Sequence, residues 1–111
     1  MHITTKQTND ITVYNVDGDI DINSSPDIRT AFEKSINSKD MKIVVNLDSV
    51  SYIDSSGLAT LVELLKKTRS YGGKMKITNL AAKVKSLFEI TKLEKLFEIY
   101  DNEEEAVSNF S

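Results

Sequence analysis

The run Ile43-Val44-Val45-Asn46-Leu47 limits the fold more than any other segment. It is short, apolar and rich in β-branched residues, the pattern of a strand covered on both faces. Strands of that kind are usually parallel and lie in the middle of a sheet, and parallel neighbours require long crossover connections. The chain is therefore committed to an α/β architecture. With 111 residues there is room for one domain, read from Met1 to Ser111, and for a single hydrophobic core.

The segments around that run agree. Ile3–Thr8 and Ile11–Val16 are rich in Ile, Thr, Val and Tyr, and Asn9-Asp10 between them predicts a hairpin. A polar stretch, Asp17-Gly18-Asp19-Ile20-Asp21, then breaks the strand. Ser25 is read as the N-cap of a first helix, with Pro26 at its first position, Asp27 near its positive end, and Ile28, Ala31, Phe32 and Ile36 as its buried stripe. A second helix starts near Ser55 or Ser56 and runs to about Ser70. Leu58, Leu61, Val62 and Leu65 face inward, and Tyr71-Gly72-Gly73 ends it. Lys74–Thr78 reads as a strand in which Met75 and Ile77 alternate with lysines. Asn79 is read as capping a helix through about Ile90, with Val84, Leu87 and Phe88 inward. Leu96–Tyr100 is the last strand, and Asp101 caps a short acidic helix that docks through Ala106, Val107 and Phe110. The order β β α β α β α β α predicts helices crossing between the strands of one sheet.

Composition removes several classes of function. Lys and Arg total 14 against 17 Asp and Glu, a net charge of −3, so the generic attraction to nucleic acid or anionic membrane is missing. There is no Cys, which excludes disulfides, zinc–thiolate sites, iron–sulfur clusters and thiol nucleophiles. The single histidine, His2, leaves no imidazole pair for a metal and no plausible triad base. No apolar run approaches the ~20 residues of a membrane span, and no basic-then-apolar leader opens the sequence. The expectation is a cytoplasmic, non-catalytic module.

Val50-Ser51-Tyr52-Ile53-Asp54-Ser55-Ser56-Gly57-Leu58 is the most informative segment. It joins the central strand to the second helix, at the sheet edge where open α/β folds carry their sites. Its simplest reading is structural, with Asp54 or Ser55 capping the helix. A hydrolase elbow would need Gly two residues before the serine, where Asp54 stands before Ser56, together with a histidine base. A phosphate-binding loop would need more glycines and a Lys before the helix. A phosphorylatable serine needs only an exposed hydroxyl where added charge alters an interaction, and Ser55 qualifies.

Asp54-Ser55-Ser56-Gly57-Leu58, preceded by a strand ending Asn46-Leu47, resembles the signature of the STAS domain, in particular that of the bacterial anti-sigma factor antagonists. Gly18-Asp19-Ile20-Asp21, Gly72-Gly73-Lys74, Val84-Lys85-Ser86-Leu87-Phe88 and Leu93–Tyr100 resemble further segments of the same family, so the likeness spans essentially the whole chain. It implies the STAS fold, a central mixed sheet of about five strands with about four helices. It also implies an unmodified form that binds a cytoplasmic anti-sigma factor, itself a serine kinase, and so frees the sigma factor. Phosphorylation would fall on Ser55 and be reversed by a metal-dependent serine phosphatase. ATP and magnesium would belong to the kinase, with no cofactor on this chain. Asp21 matches the aspartate beside the phosphoacceptor. Asp54, Ser56, Gly57, Leu58, Thr60 and Leu64 complete the expected surroundings or partner surface. The alternative within the fold is a STAS subunit of a transporter or sensory complex, with Ser55 regulatory or silent.

Two positions carry open readings. Leu64 falls off the apolar stripe of the second helix, so either a neighbouring element covers it or it anchors the partner. Lys92 stands where many family members have glycine; in a left-handed conformation it would cost about 1 kcal/mol. Asp17, Asp19 and Asp21 alternate like calcium ligands, but the sixth and twelfth loop positions are Ile22 and Ile28, so a solvated loop is preferred.

Overall fold

The structure, a computed structural model, describes residues 1–110; the domain end read at Ser111 lies outside the described residues. Ten elements follow one another: β1 (His2–Thr8), β2 (Ile11–Asp17), α1 (Ser25–Asn37), β3 (Lys42–Ser49), α2 (Ser55–Ser70), β4 (Lys74–Thr78), α3 (Ala82–Ile90), a 3-10 turn (Leu93–Lys95), β5 (Glu98–Tyr100) and α4 (Glu103–Ser108). The strands form one sheet in the order β1-β2-β3-β4-β5. β1 and β2 pair antiparallel as the hairpin, while β2, β3, β4 and β5 run parallel. β3 is the central strand, as its composition required. Ile43, Val45 and Leu47 join the core under α1, α2 and α3, and Val44 points the other way into a smaller cluster with Ile11, Val13 and Ala106. The mixed five-stranded sheet with four helices is the expected fold.

Local differences have physical causes. Ser25 is not the N-cap of α1; it is the first helical residue, buried, and its hydroxyl donates to the Asp21 carbonyl at 2.8 Å. Ser24 holds the cap position. Asn79 does not cap α3: it takes a left-handed conformation (φ 61°), and the helix begins three residues later, after Ala81. The segment from Leu96 reaches strand pairing only at Glu98, because Leu93–Lys95 closes a 3-10 turn first. Asn102, not Asp101, caps α4, its side chain accepting from the Glu105 N–H. Gly72 provides the left-handed turn after α2 (φ 87°), and Lys92 adopts the left-handed geometry that family glycines suggested (φ 60°, ψ 20°).

Lys76 departs most from the alternation read in β4. It lies beside Val44 in the sheet register and is 2% exposed. Its ammonium donates to the Tyr100 hydroxyl and the Asn109 carbonyl, both at 3.1 Å, and sits over the Tyr100 and Phe110 rings. The last helix and its flanks cover what a free-standing strand would present to water.

Candidate functional site

The loops after β2 and β3 meet at the carboxyl edge of the parallel strands, and Asp54 joins them. Its Oδ1 accepts from the Gly57 N–H at 2.8 Å, capping α2, and its Oδ2 accepts from the Ile22 N–H at 3.3 Å. Ile20 and Ile53 form an isolated parallel bridge, with the Asp54 N–H donating to the Ile20 carbonyl and the Ile20 N–H to that of Tyr52. This close approach is why position 57 is glycine: a Cβ there would lie 2.3 Å from the Ile20 carbonyl oxygen. Asp21 shapes the first loop from within, its Oδ1 accepting from the Asn23 and Ser24 N–H groups at 2.9 and 3.0 Å. The Ser24 hydroxyl donates to the Asp19 carbonyl at 2.7 Å.

Because Asp54 supplies the cap, Ser55 is left at the first position of α2 with its hydroxyl exposed and without a hydrogen bond among the described residues. Ser56 is half-buried, and its carbonyl accepts from the Thr60 hydroxyl at 2.9 Å. Asp21 and Asp54 are both half-buried on the two loops.

The remaining residues expected in the surroundings are interior. Gly57 and Leu58 are buried, Thr60 is fully buried, and Leu64 is 1% exposed in the main core. For Leu64 the structure selects the covered reading; it cannot be a surface anchor. Thr60 is shielded by Arg29 of α1, which donates to its hydroxyl at 3.3 Å and pairs with Glu63. Thr60 and Leu64 therefore shape the helix that carries Ser55 without meeting solvent.

Two exposed residues to which the sequence assigns no role stand at this site. Ile22 is 67% and Tyr52 54% exposed, one on each of the loops that Asp54 ties together. Neither has a periodicity signal, since both stand in loops; the available clue was adjacency to the serine motif for Tyr52 and to Asp21 for Ile22.

Comparison with known proteins agrees with this geometry. The STAS domain family model matches residues 2–106, and the chain belongs to the STAS domain family, among the bacterial anti-sigma factor antagonists. An anti-sigma-B factor antagonist of Bacillus subtilis is 38% identical over 95 residues, 82% of this chain and 82% of that protein. The crystal structure of a candidate anti-sigma factor antagonist from Thermotoga maritima superposes with a TM-score of 0.91 at 26% identity, covering 96% of this chain and 92% of that one. The Bacillus cell fate determinant SpoIIAA in its phosphorylated form shares the fold, with a TM-score of 0.75 at 20% identity over 99% of this chain and all of that one.

Proposed function

We propose that this chain is an anti-sigma factor antagonist that works in the cytoplasm as a binding protein. Its unmodified form binds an anti-sigma factor that is also a serine kinase, displacing the sigma factor, and phosphorylation of Ser55 abolishes that binding. The observation that carries the reading is the exposed, uncommitted Ser55 hydroxyl at the start of a helix whose cap is already supplied by Asp54. The names of the relatives, anti-sigma factor antagonists, support the same partner class.

The proposed modification balances as an ordinary phosphoryl transfer. The Ser55 Oγ forms a bond to the γ-phosphorus of ATP, the bond to the β-phosphate oxygen breaks, and the hydroxyl proton passes to a base on the kinase. ADP leaves. A phosphatase restores the hydroxyl by attack of water, releasing inorganic phosphate. The modified serine carries a charge of about −1.5 to −2 at neutral pH. The free N–H groups at the α2 start favour that charge, so the fold tolerates it. A partner packed against a neutral hydroxyl does not: burying an unpaired charge opposes binding by several kcal/mol, and each 1.4 kcal/mol is tenfold.

The assignment is tested by incubating the protein with its cognate kinase and ATP, followed by mass mapping of the fragments. Phosphate on Ser55 is expected. Phosphate on Ser56 in the wild-type protein would overturn the assignment.

A further inference from the structure

Among the described residues five large apolar side chains stand exposed; Ile22 and Tyr52 are on the two loops that Asp54 ties together, while Met1, Met41 and Ile90 lie elsewhere. Beside Tyr52 a groove of about 220 Å³ runs between the β3–α2 loop and α3, with Ser51, Tyr52 and Ile53 on one wall and Lys83, Val84 and Leu87 on the other. It falls below the roughly 300–1,000 Å³ of small-molecule sites, which disfavours a cofactor and suits a single side chain. Its charge is set against its surroundings. Lys83 is exposed and forms no ion pair among the described residues, while the β2–α1 loop carries Asp21 and Asp19, whose Oδ1 accepts from the groove-wall Ser51 hydroxyl at 3.5 Å, in a chain of net charge −3.

We propose that this groove is the anchor pocket for the kinase partner, taking one large apolar side chain of that partner with a neighbouring carboxylate paired to Lys83. The inference rests on the function proposed above and adds to it the chemistry of the partner's contact. Apolar burial in the groove supplies affinity, and Lys83 on its wall selects an acidic neighbour and orients it. Lys83 on one wall with Asp19 and Asp21 on the β2–α1 loop makes the surface two-signed, which fits a partner that offers a carboxylate at the groove. Ser55 lies two residues beyond the groove wall, at the edge of the same contact, where a phosphate would face a carboxylate-bearing partner.

The test is calorimetric titration of a purified anti-sigma factor kinase with the wild-type chain and with Tyr52→Ala, Lys83→Glu, Lys83→Arg and Ile90→Ala. The three side chains altered, Tyr52, Lys83 and Ile90, are exposed, so melting curves should match the wild type. Tyr52→Ala and Lys83→Glu should each weaken binding roughly tenfold or more, with Lys83→Arg and Ile90→Ala close to wild type. If Ser55→Asp abolishes binding while Tyr52→Ala and Lys83→Glu bind normally, the groove proposal is overturned and the switch at Ser55 stands. Failure of the wild-type chain to bind would instead overturn the functional reading and this proposal with it. Self-association of the chain that Lys83→Glu disrupts would reassign the groove to a second copy, whose Asp21-Ile22 pair has the same chemistry.

Discussion

Gly57→Ala would press a methyl group to 2.3 Å from the Ile20 carbonyl oxygen and 2.8 Å from the Ile20 Cγ2. Because the first of these is backbone, the two loops must part, weakening the Asp54 bonds that hold them. Overpacking of this kind costs about 1–3 kcal/mol, and chemical denaturation should show the loss. An unchanged midpoint would mean that the loops are not held this closely. Lys92 has the opposite sign. At φ 60° it adopts a conformation that favours glycine, so Lys92→Gly should stabilise by about 1 kcal/mol in the same assay. Both positions were visible in the residue order, one within the serine motif and one as a departure from family glycine. The exposure of Ile22 and Tyr52 was not, and Leu64 was left between two readings, because exposure in a loop or burial off a helix stripe depends on which neighbours the fold supplies. The cap was legible only to within one residue: Asp54 or Ser55 could serve by type, and the second bond, from Ile22, favours Asp54.

At the level of elements, composition, apolar patterning and turn residues located the five strands and four α-helices but not the 3-10 turn at Leu93–Lys95, and the other errors gathered at ends. Ser25, Asn79 and Asp101 are good capping types, yet the Asp21 carbonyl, a left-handed backbone and Asn102 respectively decide those termini. β4 shows the limit of alternation most clearly. Lys76 reads as solvent-facing until Tyr100 and Phe110 cover it. The buried cation is well satisfied, but its desolvation offsets much of what its contacts provide. Lys76→Met, which keeps length and apolar bulk, should therefore change stability by less than about 1.5 kcal/mol. Lys76→Ala opens a void as well and should cost distinctly more, about 2–5 kcal/mol by analogy with other large-to-Ala core changes. Thermal melts of the two variants separate a packing role from an electrostatic one.

Across the whole molecule, acid acts on carboxylates other than those beside the proposed phosphorylation site. Burial alone would raise the carboxyls of Glu63 and Glu103, but the bonds from Arg29 and Lys67 to the first, and from Lys6 and Asn46 to the second, outweigh it and hold both below the ordinary 4.5. A depressed folded-state value means that their contribution is fully present above the ordinary carboxyl range and is lost as pH falls through the folded values. Melting temperature should thus hold between pH 7 and about 5 and drop below about 4.5, with Glu103→Gln blunting the drop. Equal acid sensitivity in wild type and Glu103→Gln would remove that residue from the account. The proposed modification of Ser55 should leave this framework intact, since Asp54 and not Ser55 caps α2. The most direct measurement compares the affinity of Ser55→Ala and Ser55→Asp for the anti-sigma factor kinase, alongside their circular dichroism and melting curves. Tight binding by Ser55→Ala, binding weakened at least tenfold by Ser55→Asp, and matching folded-state spectra are predicted; equal affinities of the two variants would contradict a charge switch at Ser55.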